Sequence, residues 1–124
     1  MSHSLYRIVG ALDWKAGLDS GTVPRCGSDE RDGFVHLSTE ESFLETADLY
    51  FDPTEEPLAL EIDPSALGSN LKWEVVEKRG GAAFPHLYAP GIPASSVIAV
   101  IRLDHDGARF SRGVRTALET PRSS

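Results

Sequence analysis

The order of hydrophobic periodicities along the chain limits its fold more than any other sequence feature. Apolar residues recur with helical spacing in two segments, both in the first half, whereas strand-like segments dominate after residue 56. The predicted strands span residues 5–9, 34–38, 57–63, 71–77, 83–88 and 97–103. This order, β-α-β-α-β-β-β-β, lacks the strand–helix alternation of a doubly wound sheet. We therefore expect a mixed α+β fold with two main helices.

Boundary residues mark both predicted helices. The first has Asp13 as its N-cap and ends at Gly21, and the Gly-, Pro- and Ser-rich residues 22–33 are expected to form a loop. The second begins at Ser38, which forms a capping-box pattern with Glu41. The apolar stripes comprise Leu12, Trp14 and Leu18 in the first helix and Phe43, Leu44, Ala47, Tyr50 and Phe51 in the second.

Length and charge indicate one acidic domain. The chain has 124 residues, of which 40% are hydrophobic and 25% charged, as is ordinary for a globular protein of this size. Its net charge is −7, and because residues 111–124 carry +2, residues 1–110 carry −9. We predict a single domain over residues 1–110 and a flexible C-terminal tail over residues 111–124. So acidic a domain lacks the basic surface that nucleic acids require, and we expect no nucleic-acid partner.

The sequence also predicts a cytoplasmic location. It contains no apolar run near the roughly 18 residues that a membrane span needs, and its first residues lack the apolar segment of a secretory signal. Cys26 is the only cysteine, so it cannot form an internal disulfide, which fits a reducing compartment. We expect no membrane contact. A nucleophilic role for this thiol remains an open alternative.

Two predicted strands each carry a histidine in a matching context. Side chains two residues apart share one face of a strand, and here that face presents an aromatic ring, a histidine and a hydroxyl group. The residues are Phe34, His36 and Ser38 in one strand and Phe84, His86 and Tyr88 in the other. We expect the two sets to line a common pocket. Pro85, in the second strand, favours an edge position in the sheet.

A carboxylate candidate lies on a third strand. Trp73 and Glu74 point to opposite faces, so at most one of them can face the histidines, and Trp73 is expected in the core. Phosphate-binding loops and paired-cysteine or HExxH metal motifs are absent from the sequence. A metal site of His36, His86 and Glu74 is the weaker alternative, because no two of them have local ligand spacing. We therefore expect no metal.

Several blocks of sequence resemble a known family. D-G-F-V-H-L-S-T, K-W-E and F-P-H-L-Y, with the opening L-Y-R-I-V, are similar to the hallmarks of an uncharacterised bacterial family, a domain of unknown function, over nearly all of residues 5–104. That family resembles the ADP-ribosyltransferase superfamily in fold. The resemblance implies a compact, mixed or antiparallel split sheet whose cleft holds NAD or an ADP-ribose-like nucleotide.

The resemblance also implies roles for the pocket residues. His36 and Ser38 are similar to the element that holds a ribose hydroxyl and the nicotinamide amide, and Arg7 lies where related proteins reach into the cleft. Glu74 would replace the glutamate that stabilises the ribose cation. The implied catalytic residues are His36, Glu74 and His86, and the implied ligand-binding residues are Arg7, Phe34, Ser38, Phe84 and Tyr88.

Two classes of function remain open at this point. The first is an NAD-dependent enzyme that transfers ADP-ribose or cleaves the ribose–nicotinamide bond through a cationic transition state, which a carboxylate would stabilise. The second is a non-catalytic module that binds a small molecule or a peptide in the same pocket. The sequence does not set the acceptor or the oligomeric state.

Overall fold

The fold is built mainly from antiparallel strands. The computed structural model describes residues 4–118, which form nine strands and three helices joined by short 3₁₀ turns. The strands are β1 (Leu5–Gly10), β2 (Thr22–Pro24), β3 (Val35–His36), β4 (Pro57–Ile62), β5 (Leu71–Val76), β6 (Ala82–Leu87), β7 (Gly91–Pro93), β8 (Val97–His105) and β9 (Phe110–Ala117). The helices are α1 (Ala11–Ser20), α2 (Gly27–Asp32) and α3 (Phe43–Tyr50). All strand pairs among these residues are antiparallel, so the predicted α+β class is confirmed.

The strands are divided among three sheets. The largest has the order β1-β4-β8-β9, the second has the order β3-β6-β5, and β2 pairs with β7 in the third. Tyr6 of β1 also forms an isolated bridge to Ser38, with backbone hydrogen bonds of 2.8 and 2.7 Å. This bridge holds the chain after β3 against the edge of the largest sheet.

Strand β4 lies at the centre of the packing. Its residues Leu60 and Ile62 belong to a core cluster shared by all three sheets and α1, whereas Ala59 belongs to a second cluster that includes Phe43 of α3. Leu60 and Ile62 thus lie on the face of this strand that packs into the larger cluster. The other face is buried as well, because α3 covers it.

Both helix starts were predicted at the wrong residue. Helix α1 begins before the predicted cap Asp13, although it ends as predicted at Gly21, whose φ of 91° is left-handed. Helix α3 begins after Ser42 rather than Ser38. Ser38 cannot cap a helix because its backbone is still paired with Tyr6 in extended geometry.

Parts of both predicted apolar stripes face solvent. Trp14 and Phe43 are buried, but Leu12, Leu18 and Tyr50 are more than half exposed. Each helix therefore uses only a narrow stripe to contact the sheet.

The predicted loop at residues 22–33 contains β2 and α2. β2 has only three residues and gains its hydrogen bonds from distant β7. α2 has six residues and no apolar stripe; its N-terminus is closed by the side chain of Asp29, which accepts from the backbone of Cys26 at 2.9 Å. Elements stabilised by tertiary contacts of this kind leave no periodic signal in the sequence.

The predicted domain boundary at residue 110 is wrong. Residues 111–117, predicted as tail, continue β9, which pairs with β8 and holds Glu61 of β4 through Arg115 at 2.8 and 3.2 Å. Because β9 is an edge strand, only Phe110 of its side chains is buried, and its sequence is as polar as that of a tail. Residues 119–124 lie outside the described residues.

Pro85 lies on a central strand, contrary to the predicted edge position. β6 has β3 on one side and β5 on the other. The carbonyl of Pro85 accepts from the N–H of Leu37 at 3.1 Å, on the side where β3 has already ended. The missing N–H of Pro85 therefore removes no ladder bond.

A buried ion pair fills the space beside β3. Arg7 of β1 binds Asp29 of α2, with Nη2 and Oδ2 2.5 Å apart and both side chains nearly inaccessible. Arg7 also donates to the carbonyl of His36 at 2.8 Å, and Asp29 accepts from the N–H of His36 at 3.1 Å. The pair thus bonds the backbone groups of His36 that a further strand would otherwise satisfy.

Asp29 is an acceptor for five hydrogen bonds. Two come from Arg7, one from the backbone of Cys26, and two from the backbone and the ring of His36. Burial raises the pKa of this carboxyl, but the hydrogen bond from His36 and the charge of Arg7 outweigh burial and hold the pKa well below its usual range. Asp29 is therefore ionised in the folded protein.

Replacing Asp29 with Asn should lower the free energy of unfolding by about 3–5 kcal/mol, because Arg7 would keep a buried charge without a partner. The side-chain amide of the asparagine would also turn N–H donors toward groups that themselves donate hydrogen bonds to Asp29. Urea unfolding measures the loss. The matched control is Asp19→Asn, whose ion pair with Lys15 is exposed and should contribute less than about 1 kcal/mol. Equal losses for the two variants would contradict this assignment.

As the pH falls, the free energy of unfolding should decrease more steeply in the unsubstituted protein than in the Asp29→Asn variant. Since the pKa of Asp29 is lower in the folded than in the unfolded chain, its contribution to stability is complete above the unfolded value of about 3.9. That contribution is lost as the pH falls below this value. Urea midpoints measured from neutral pH downward should converge for the two proteins; parallel curves would disprove the expectation.

Candidate functional site

The two strand histidines meet where β3 pairs with β6. His36 and His86 are register partners, and their ring centroids lie 5.7 Å apart. The ring of Phe34 stacks on His86 at 4.0 Å and lies 4.7 Å from His36 and 5.3 Å from Tyr88. Four of the residues that strand alternation placed on a common face therefore form one cluster, which we call the aromatic–histidine cluster (Phe34, His36, His86 and Tyr88).

Glu74 of β5 joins this cluster. Its Oε1 lies 2.8 Å from Nδ1 of His86 and 2.7 Å from the hydroxyl of Tyr88, which donates to it. The hydrogen bonds from Tyr88 and then from His86 lower the pKa of Glu74, and the same carboxylate raises the pKa of Tyr88. Trp73 points to the opposite face and is 54% exposed, so its predicted place in the core is wrong.

His86 keeps one ring nitrogen free. A carboxylate only accepts, so Nδ1 of His86 carries the hydrogen shared with Glu74. Nε2 has no hydrogen-bond partner among residues 4–118. Within the same residues, the only fully buried side-chain polar atom without a partner is Nε of Arg7, so Nε2 of His86 keeps a small contact with solvent, although the residue as a whole is only 5% exposed. A carboxylate that orients an imidazole in this way is a common arrangement for a proton acceptor.

His36 has the opposite arrangement, with both ring nitrogens occupied. Nδ1 lies 2.7 Å from Asp29 and Nε2 lies 2.9 Å from Asp32. Both contacts are hydrogen bonds only when both nitrogens carry hydrogen, as in the imidazolium form. In this arrangement His36 offers no ring nitrogen to a ligand.

Sequence reasoning missed both aspartates. Asp29 and Asp32 belong to α2, in the segment predicted as a loop, and their distance from His36 depends on how that helix folds back on β3. The hydrogen bond from Arg31, followed by that from His36, lowers the pKa of Asp32. Two acids three residues apart, shortly before a strand histidine, were the available signal.

Three predicted ligand-binding residues lie outside the cluster. Arg7 is committed to Asp29 in the buried ion pair. Ser38 bonds the hydroxyl of Thr46 on α3 at 3.0 Å. Phe84 is buried under the guanidinium of Arg79, 4.6 Å from its ring centre.

An open depression of about 490 Å³ lies beside the cluster and shares Tyr88 with it. Its walls are formed by Arg25, Glu30, Gly33, Tyr88, Ala89 and Pro90. Arg25 is fixed there, since Nε donates to the carbonyl of Ala89 and Nη1 pairs with Glu30, each at 3.0 Å. A cation and an aromatic ring therefore share the same surface.

Comparison with protein families shows where the chain belongs. Residues 8–100, three quarters of the sequence, match the family described as Protein of unknown function (DUF952). The chain is a member of the DUF952 family. The matched range includes every residue of the aromatic–histidine cluster and Glu74.

Solved structures from the bacterium Caulobacter crescentus are similar to this DUF952 chain. A crystal structure of its protein CC0527 is 36% identical, with a TM-score of 0.79, over 87% of this chain and 93% of that chain. A solution structure of the same protein gives 36% identity and a TM-score of 0.72, over 86% and 90% of the two chains. The comparison with curated proteins found no match.

Features of a membrane span and of a metal site are both missing from residues 4–118. Among residues 4–118, no helix has the length and apolar character needed to cross a bilayer. The described part of the chain contains no group of three or more His, Cys, Asp or Glu side chains arranged to hold a metal ion. His36, His86 and Glu74 do not form such a group.

The Glu74→Gln variant should lower the pKa of Tyr88, because the hydrogen bond to an ionised carboxylate is what raises it. Spectrophotometric titration of tyrosinate absorbance measures this change. The signal of Tyr88 is identified by its loss in Tyr88→Phe, and Tyr50→Phe serves as the control because Tyr50 is exposed on α3. An unchanged titration of Tyr88 in Glu74→Gln would show that the bond is not formed in solution.

Proposed function

We propose that this DUF952 protein binds NAD or an ADP-ribose-like nucleotide beside His86, Glu74 and Tyr88 and acts on it as an ADP-ribosyltransferase-like enzyme. The observation that carries the proposal is the free Nε2 of His86, whose other nitrogen is held by Glu74 at 2.8 Å. Such a nitrogen can accept a proton from an attacking hydroxyl group.

The proposed reaction breaks the bond between ribose C1′ and the pyridinium nitrogen. The bonding electrons leave with nicotinamide, which departs neutral, and positive charge develops on the ribose. A water molecule or an acceptor hydroxyl then bonds to C1′ and gives its proton to Nε2 of His86. Glu74 orients the imidazole and stabilises the positive charge that forms on it.

Neighbouring residues supply binding groups of the right chemistry. The ring of Tyr88 is part of the wall of the depression and offers a face on which nicotinamide or adenine can stack. Arg25 lines the same depression and gives a cation for a pyrophosphate group. His36, for which the family resemblance implied a catalytic role, instead has a supporting role in this proposal, because Asp29 and Asp32 occupy its nitrogens.

The same observation on His36 favours a second candidate function. Because both ring nitrogens of His36 are occupied, the site has one catalytic histidine fewer than the resemblance implies. The depression would then belong to a non-catalytic module that binds a small molecule or a peptide. Binding without turnover distinguishes this candidate from the first.

Titration of ¹⁵N-labelled protein with NAD, ADP-ribose and nicotinamide should give saturable amide shifts at residues 24–38 and 84–90. Tyr88→Phe keeps the ring and removes the bond to Glu74, whereas Tyr88→Ala removes the stacking face and should weaken binding at least about tenfold. Tyr50→Ala, at an exposed tyrosine on α3, is the matched control. Absence of shifts with all three ligands would overturn the nucleotide proposal.

Release of nicotinamide from NAD tests the enzyme proposal separately. His86→Asn should slow release by about 10²–10⁴-fold, the range for loss of a general base. His105→Asn, at a histidine outside the cluster, should leave the rate unchanged, and circular dichroism checks that both variants fold. Saturable binding with no release from the unsubstituted protein would favour the non-catalytic module.

A further inference from the structure

Strand β5 presents an unpaired edge with apolar side chains. It is the last strand of the order β3-β6-β5, and among residues 4–118 no other strand pairs with its outer side. Trp73 and Val75 share one face of this strand and are 54% and 60% exposed. Large apolar side chains on an open strand edge are typical of a site where another strand adds.

The backbone of β5 is also free to pair. The carbonyl of Pro85 points to β3, because it accepts from Leu37 there. Trp73 is the register partner of Pro85 on the other side, so antiparallel alternation directs the N–H and C=O of Trp73 away from β6. The same alternation turns the backbone groups of Leu71 and Val75 outward.

We propose that β5 pairs with β5 of a second copy of this chain, antiparallel and about a two-fold axis through Trp73. This pairing joins two three-stranded sheets into one of six strands. Trp73 then faces Trp73 of the partner, and Leu71 faces Val75 of the partner. On the other face, Lys72 of each copy lies opposite Glu74 of the other.

Charge selects this register over its neighbours. An axis through residue 72 would place two lysines opposite each other, and an axis through residue 74 would do the same with two glutamates, both of which are destabilising. An axis between two residues would oppose side chains that lie on different faces of the sheet. The axis through Trp73 instead forms two opposite-charge pairs.

Lys72 is available for such a pair. It is exposed, and among residues 4–118 it makes no ion pair. Oε1 of Glu74 is occupied by His86 and Tyr88, but its other oxygen has no hydrogen-bond partner within those residues. The pairing therefore brings the ammonium group of the partner to the edge of the aromatic–histidine cluster.

The edge of β9 is a poorer candidate for self-association. Its side chains include Arg112 and Arg115 and no acid, so two copies of β9 could form no opposite-charge pair across the shared edge. Val114 on this strand is 69% exposed, which makes it a matched control for Val75.

Sedimentation velocity on the full chain, over a concentration series and without any ligand, tests the pairing. We expect a dimer whose dissociation constant rises at least about tenfold in Val75→Lys, since the lysine faces Leu71 across the strand pair on both sides of the axis. Val114→Lys should leave the constant unchanged. A monomer at millimolar concentration, or a dimer insensitive to Val75→Lys, would overturn the proposal.

A charge exchange tests the register. Lys72→Glu should dissociate the dimer, because it places glutamates opposite each other twice, and the double variant Lys72→Glu with Glu74→Lys should restore it. Failure of the double variant to dimerise, with circular dichroism showing it folded, would exclude the axis through Trp73. Because these assays contain no nucleotide, their outcome is separate from that of the NAD experiments.

Discussion

The buried ion pair between Arg7 and Asp29 is the interaction on which the rest of this structure depends. It joins the first strand to a short helix that has no apolar stripe of its own, and it bonds the backbone of His36 on the side where a neighbouring strand is missing. Breaking such a pair costs several kcal/mol, because the remaining charge stays buried. The place of β3 between two sheets therefore depends on electrostatics more than on strand pairing, which covers only two residues.

The two histidines show how neighbours outside a strand decide the role of a side chain. His36 and His86 are register partners on the same face, yet acids from α2 occupy both nitrogens of one, whereas Glu74 occupies a single nitrogen of the other. The number of free ring nitrogens thus differs between two histidines whose sequence contexts look equivalent. The difference arises from α2, the helix that packs beside β3.

Rules based on neighbouring residues predicted the features that depend only on neighbouring residues. Alternation placed Phe34, His36, His86 and Tyr88 on one surface, because a strand of any register obeys it. The same rules failed where tertiary contacts decide. Ser38 looked like a helix cap but is held by Tyr6, and β9 looked like a tail because an edge strand buries little. Asp29 was missed because its importance comes from a residue 22 positions earlier.

The pairing of β1 with β4 has a consequence for how the chain is made. Leu5 is the register partner of Ile62, and β4 in turn needs β8, which begins at Val97. Strand β1 therefore has no strand partner, and its apolar residues stay uncovered, until synthesis has passed residue 62. Long-range pairing of this kind slows folding and exposes strand edges in the interval. In the cell, strand β1 is therefore most exposed to aggregation while the chain is still being translated.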